Sequence, residues 1–289
     1  MSNTDIWIVG ARPRTLPAAI APVLVGTALI RRDHHSINYL NALLALLVSL
    51  LLQIAVNYSN DYSDGVRGVD NNRVGPTRLV ASGLATARAV KFAALSCFGI
   101  AAVLGTILAI RVSWWLLLVG ALSIVAAWTY TGGKRPYGYL GFGEISVFLF
   151  FGLVATMGSY VVQSHRLTWA SLLVSLPIGA LSCSLLAINN LRDLPKDLLV
   201  GKKTLAVRLG DKRARQLFIS LLVGAHMAAL ATSFITPWAP ITLFFIPITA
   251  QITTAIRSGA SGTQLIPMLG QVGKLQLFLS ISLAFALLV

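Results

Sequence analysis

The run Leu40–Asn60, LNALLALLVSLLLQIAVNYSN, continues directly into Asp61-Tyr-Ser-Asp64-Gly-Val-Arg-Gly-Val-Asp70. Its first part is apolar, uncharged and long enough to cross a bilayer as a helix. Its end concentrates Asn and Asp at helical spacing. Asn57 and Asp61 are four residues apart, and Asp61 and Asp64 three, so a helix continued to Asp64 carries all three on one face. A carboxylate beside lipid costs about 2.5–3.5 kcal/mol at a helix centre, and less near an interface. With only nine acidic residues in 289, a cluster here implies that a metal ion or a polar ligand is held at the end of a membrane helix.

A second stretch, Asn189-Asn190-Leu-Arg-Asp193-Leu-Pro-Lys-Asp197, repeats the arrangement, with Asn189, Asp193 and Asp197 at four-residue spacing. The segments that follow the two clusters are also alike. Gly75-Pro76-Thr77-Arg78 follows the first and Gly201-Lys202-Lys203-Thr204 the second, which suggests a pseudo-duplicated helical array. A third polar loop, Tyr130 to Tyr139, contains Lys134 and Arg135 and precedes Glu144, the one Glu in the chain.

Hydrophobic residues make up 56% of the chain and charged residues 11%, against roughly 25% charged in soluble domains. The expected fold is therefore an all-α integral membrane protein, a single membrane-embedded domain over 1–289. Nine transmembrane spans are predicted, at 15–31, 40–60, 89–110, 113–130, 141–162, 168–190, 215–235, 237–256 and 271–289. The first contains Pro17 and Pro22 and runs into Arg31 and Arg32 without a small-residue cleavage site, so it reads as a retained helix and not a signal peptide.

The net charge of +14 raises nucleic acid as a partner, but its distribution argues against that. With the N-terminus cytoplasmic, 19 of the 23 Lys and Arg residues fall on the cytoplasmic side, leaving Arg31, Arg32, Arg111 and Arg166 opposite. This follows the positive-inside rule. It places both acidic clusters and the active-site loops in the cytoplasm, on a protein of the cell inner (plasma) membrane whose surroundings are the lipid bilayer. Cys97 and Cys183 have no metal-ligand spacing and read as packing residues, and the four His are scattered.

Two carboxylate faces meeting across a bundle offer the oxygen donors that Mg²⁺ prefers, and Mg²⁺ commonly borrows substrate phosphate oxygens as well. Arg67, Arg73, Arg78, Lys134, Arg135, Lys202, Lys203 and Arg208 lie near enough in sequence to hold phosphates. Acids and bases clustered together suit the ionisation of an allylic diphosphate, in which metal and guanidinium groups stabilise the leaving group. Tyr58, Tyr62, Trp128 and Tyr130 are placed to shield a carbocation. The plainer reading is that interfacial Asp and Arg form solvated pairs and that aromatic residues form an interface belt.

At these residues the chain resembles the UbiA superfamily of intramembrane prenyltransferases. The resemblance rests on Asn60-Asp61-x-x-Asp64 after the second span and Asp193-x-x-x-Asp197 after the sixth. The first motif usually has another Asp where this chain has Gly68, the next acid being Asp70. Ala11-Arg12-Pro13-Arg14-Thr15-Leu16-Pro17, Gly75-Pro-Thr-Arg78, Asn189-Asn-Leu-Arg-Asp193 and Gly201-Lys-Lys-Thr-Leu-Ala-Val-Arg-Leu-Gly210 are similar to the branch that prenylates 1,4-dihydroxy-2-naphthoate.

The resemblance implies a UbiA-like bundle transferring a polyprenyl group from its diphosphate to that acceptor with loss of carbon dioxide, giving demethylmenaquinol. It also implies Mg²⁺ bound by Asp61, Asp64, Asp193 and Asp197 with help from Asn57 or Asn60. Arg78, Lys134 and Lys202 would contact the diphosphate. Arg14 or its neighbour Arg12 would meet the diphosphate or the acceptor carboxylate. Glu144 is a candidate base, though an acid at a helix start is also a plain dipole partner. The rival readings are a UbiA branch using 4-hydroxybenzoate or homogentisate, and a secondary transporter, which would place its ionisable residues nearer the bilayer midplane.

Overall fold

A computed structural model describes residues 3–69 and 75–289; Asp70 and Arg73 lie outside the described residues. The chain forms helices α1 (Asn3–Ala11), α2 (Pro17–Arg32), α3 (Tyr39–Val66), α4 (Ala87–Arg111), α5 (Trp115–Thr129), α6 (Gly143–Ser164), α7 (Trp169–Leu199), α8 (Leu205–Ala231), α9 (Ala239–Arg257) and α10 (Leu265–Leu288). There is no strand among the described residues.

Among the described residues, seven helices are long and apolar enough to span a membrane, and α1 with α2, bent by 54°, makes an eighth if counted as one span. The expected nine is not reached on that measure. The fourth predicted span is the 15-residue helix α5, about 22 Å long at the usual rise and short of the roughly 30 Å hydrocarbon core. Two predicted spans end earlier than their helices do. Both α3 and α7 continue past the apolar stretch, to Val66 and Leu199, and carry the Asn and Asp residues on ordered helix. Helix α8 starts ten residues before the predicted span and is interrupted at Gly210, whose φ of 73° only glycine adopts without strain.

The break between α1 and α2 has an identifiable cause. Pro13 and Pro17 remove backbone donors, and Arg12 takes a left-handed conformation with φ 54°. The carbonyls freed by this break need partners inside an apolar bundle. Helix α3 supplies one: the Asn57 amide donates to the Ala11 carbonyl at 2.9 Å and to the Thr15 hydroxyl at 3.0 Å. The Gln53 amide also donates to Thr15, at 2.9 Å, and Thr15 itself donates to the Arg12 carbonyl.

Helix α3 packs on α4 and α7 on α8, while α2 lies between α6 and α10. Close approach depends on glycine. A Cβ on Gly26 would stand 2.3 Å from the Thr156 carbonyl, and one on Gly152 2.6 Å from the Gly179 Cα. Gly26→Val should therefore lower stability by about 1–3 kcal/mol through overpacking, read as a lower unfolding midpoint in detergent. Helix α6 widens into a π-helical stretch at Phe148–Val154, a feature often found beside functional sites. Here it puts Phe150, Phe151 and Val154 on a cavity wall.

Candidate active site

The end of α3, the loops at 75–86 and 130–142, and the turn after α7 meet at one end of the bundle. Asp64, 4% exposed, sits among them. One carboxylate oxygen accepts from the Tyr139 hydroxyl. The other lies 3.2 Å from the Lys202 ammonium and 3.9 Å from the Arg78 guanidinium. The Tyr139 ring has Lys202 4.4 Å and Arg67 5.5 Å from its centroid. Arg67 donates to the carbonyls of Thr131 and Gly133, tying the end of α3 to the third polar loop. Burial, then the nearby Asp64 charge, push the Tyr139 hydroxyl far above its ordinary value, so it stays a donor. The Asp64–Lys202 contact joins the two polar segments that the sequence set 138 residues apart.

Asp61 is engaged differently. Its two oxygens accept the backbone N–H groups of Leu79 at 2.8 Å and Val80 at 3.0 Å, and the residue is fully buried. It anchors the loop that carries Arg78. Asn60 accepts the Thr131 hydroxyl at 2.7 Å, and Asn57 serves the α1–α2 break. Asn57, Asp61 and Asp64, read as one ligand face, thus hold three different sets of partners, because the helix end is surrounded by three separate segments.

On α7, Asp193 accepts a two-pronged contact from its buried neighbour Arg192, at 2.7 and 2.8 Å. Asp197 is buried, and its carbonyl accepts the Lys202 N–H at 2.9 Å, which turns the chain so that Lys202 faces Asp64. The two clusters approach one another at Tyr130, which lines one cavity with Asn60 and Asn189. Its hydroxyl is pushed well above the usual range by burial, then by Glu144, Tyr137, Asp64 and Asp197. Glu144 is buried and accepts the Asn190 amide at 2.9 Å. Among the described residues, no three His, Cys, Asp or Glu side chains form a metal-binding group. The oxygen donors at Asp64, Asp197 and Asn60 are nevertheless of the type Mg²⁺ takes.

Below this cluster lies a cavity of about 320 Å³. Arg12, Asn57, Asn60, Tyr130, Tyr137 and Asn189 line its polar end, and Val23, Ala45, Leu108, Leu116 and Val162 its far end. Asn60 and Ala45 are fifteen residues apart on α3, about 22 Å of helix, so the cavity is a long apolar shaft.

Several expected residues stand elsewhere. Arg14 is exposed, and it is Arg12 that lines the cavity and donates to the Asn57 carbonyl at 3.4 Å; the left-handed turn at Arg12 reverses which of the two points inward. Lys134 and Lys203 are exposed. Tyr58 donates to the Trp7 carbonyl and Tyr62 stacks on Trp128, so these three aromatic residues pack the α3–α4 side; Tyr130 is the one at the cavity. Tyr139 and Arg67 carry no spacing signal that separates them from other loop residues, and their roles come from tertiary contact alone.

A charged, largely buried cluster above an apolar shaft, inside a multi-pass helical membrane protein, defines a site for an amphiphile with an anionic head. The sequence profile of the UbiA prenyltransferase family matches residues 19–263, and the chain belongs to that family. A Mycobacterium tuberculosis protein named 1,4-dihydroxy-2-naphthoate octaprenyltransferase is 48% identical over 287 residues, covering 99% of this chain and 98% of its own length. An Escherichia coli K12 protein of the same name is 44% identical over 234 residues, covering 78% and 75%. The structure of a UbiA homolog from Archaeoglobus fulgidus bound to GPP and Mg²⁺ superposes with a TM-score of 0.67 at 15% identity, covering 97% of this chain and 99% of that one. This last likeness is one of fold.

Proposed function

We propose that this chain transfers a polyprenyl group from its diphosphate to 1,4-dihydroxy-2-naphthoate, releasing carbon dioxide and giving demethylmenaquinol. The names of the relatives above support the acceptor. The observation that carries the chemistry is the meeting of Asp64, Arg78 and Lys202 above the apolar shaft. Asp64 and Asp197, with the Asn60 carbonyl, would hold Mg²⁺; the ion, when bound, neutralises charge developing on the leaving diphosphate. Arg78 and Lys202 bind the diphosphate oxygens through charge-assisted hydrogen bonds, and the shaft takes the isoprenoid tail. Asp61 fixes the loop beneath Arg78, and Arg192 orients Asp193.

The carbon–oxygen bond breaks with its electron pair leaving on the diphosphate. Tyr130 and Tyr137, at the polar end of the shaft, shield the allylic cation with their rings. The electron-rich acceptor ring attacks at the carbon bearing its carboxylate. Loss of carbon dioxide from that carbon returns the electron pair to the ring. Departure of the carboxylate replaces loss of a ring proton, so this step demands no general base. The protein acts in the inner membrane with the Asp64 end in the cytoplasm, a reading supported by the 19-to-4 division of its basic residues.

The test is product identification with purified protein, a labelled polyprenyl diphosphate and each of three acceptors: dihydroxynaphthoate, 4-hydroxybenzoate and homogentisate. Prenylated, decarboxylated naphthoquinol is expected, with turnover stopping in excess chelator and returning with Mg²⁺. Turnover that persists in chelator, or substrate flux into proteoliposomes without chemical change, contradicts the reading. Lys202→Gln should raise the donor KM about tenfold, the loss of one charge-assisted contact to phosphate. Lys134→Gln, on an exposed loop, should leave it near native.

A further inference from the structure

At the end of the bundle opposite Asp64, Arg31, Arg32, Arg111 and Arg166 are the Lys and Arg residues among those described. Arg111 is taken up by Asn41, at 2.8 Å, whose amide is bound to the Val162 carbonyl. Arg32 and Arg166 instead line a polar recess of about 500 Å³ between the end of α2 and the α6–α7 connection.

The residues that line the recess contact one another and the neighbouring segments. Asp33 accepts from Arg32 at 2.9 Å and from the buried Tyr160 hydroxyl. Arg32 also donates through Nε to the Ile235 carbonyl at 3.1 Å. Arg166 lies 3.3 Å from the Nε2 of His35 and has no carboxylate partner among the described residues. His34 and His165, with φ of 60° and 59°, are two of the three non-glycine residues at positive φ among the described residues. That conformation is unfavourable for a side-chain-bearing residue, and both instances turn the chain at this recess.

Two guanidinium groups from separate segments therefore face one recess with a single carboxylate between them. Basic residues at the last turn of a helix suit its dipole, which accounts for Arg31 and Arg32 but not for Arg166. Topology does not call for them either, since this is the end that the positive-inside rule leaves poor in Lys and Arg. Trp169, Phe234 and Trp238 at the same end are exposed, the signature of the lipid headgroup level. We propose that the recess binds the phosphodiester of an anionic phospholipid from the leaflet at this end, with Arg32 and Arg166 donating to its oxygens.

The test uses the full chain purified in detergent, with phosphatidylglycerol, phosphatidylcholine and inorganic phosphate as probes. Retained lipid is read by native mass spectrometry and the unfolding midpoint by fluorescence. Phosphatidylglycerol should be retained and raise the midpoint, whereas phosphatidylcholine and inorganic phosphate should do neither. Its affinity should fall about fivefold in Arg166→Gln and again in Arg32→Gln, and stay native in Arg257→Gln, an exposed arginine at the other end. Arg166 is exposed and its guanidinium meets the His35 side chain, so that variant decides the matter if Arg32→Gln misfolds through loss of the Ile235 contact. Equal phosphatidylglycerol retention in Arg166→Gln and the native chain overturns the proposal. So does retention of phosphatidylcholine to the same extent, or a midpoint shift from inorganic phosphate as large as that from the lipid.

Discussion

Asp64→Asn is expected to lower prenyl transfer by about 10²–10³-fold, the usual loss when one preorganised electrostatic contact is removed, while the helical fold persists. Asn keeps the shape of the side chain and can still meet the Tyr139 hydroxyl, but it lacks the charge that draws Lys202 and Arg78 together. The fall should appear in kcat as well as in donor KM, because the missing charge serves bond ionisation and not donor binding alone. Turnover at saturating donor and acceptor, with circular dichroism as the control for folding, measures this. A rate close to native would remove Asp64 from the reaction site.

Asp61→Ala should lose both activity and stability, and for a different reason. The Leu79 and Val80 N–H groups that Asp61 holds would be left buried without an acceptor. Each such group costs about 1–3 kcal/mol, and together they outweigh any relief from removing a buried carboxylate. The loop bearing Arg78 would come loose. The expected signature is a lower unfolding midpoint together with faster proteolysis within 75–86, neither of which Asp64→Asn should show. Loss of activity with a native midpoint and a protected loop would instead give Asp61 a direct part in the chemistry.

The helices, and the meeting of polar segments at one end of the bundle, were largely readable from the chain. The apolar runs and the helical spacing through Asn57, Asp61 and Asp64 and through Asn189, Asp193 and Asp197 led to α3 and α7. What escaped reading was how each polar side chain is used. Asp61 and Asp64 differ by three positions and little else in sequence, yet one holds a loop backbone and the other meets two cations. That Arg12 and not Arg14 lines the cavity, and that Lys202 and not Lys203 meets Asp64, follows from a left-handed residue and from a turn closed on the Asp197 carbonyl. The recess at Arg32 and Arg166 left no trace at all, since its two halves come from connections more than a hundred residues apart.

The sequence by itself determined that this is a helical membrane protein with two acidic clusters at one end. Transfer energies and helical periodicity act locally along the chain, so they can be read there. Only the tertiary structure decided which carboxylate faces Lys202, which arginine lines the shaft and where the arginine-lined recess at the other end lies. Those outcomes depend on hydrogen bonds whose partners are distant in sequence, and their direction is defined only once the helices have packed.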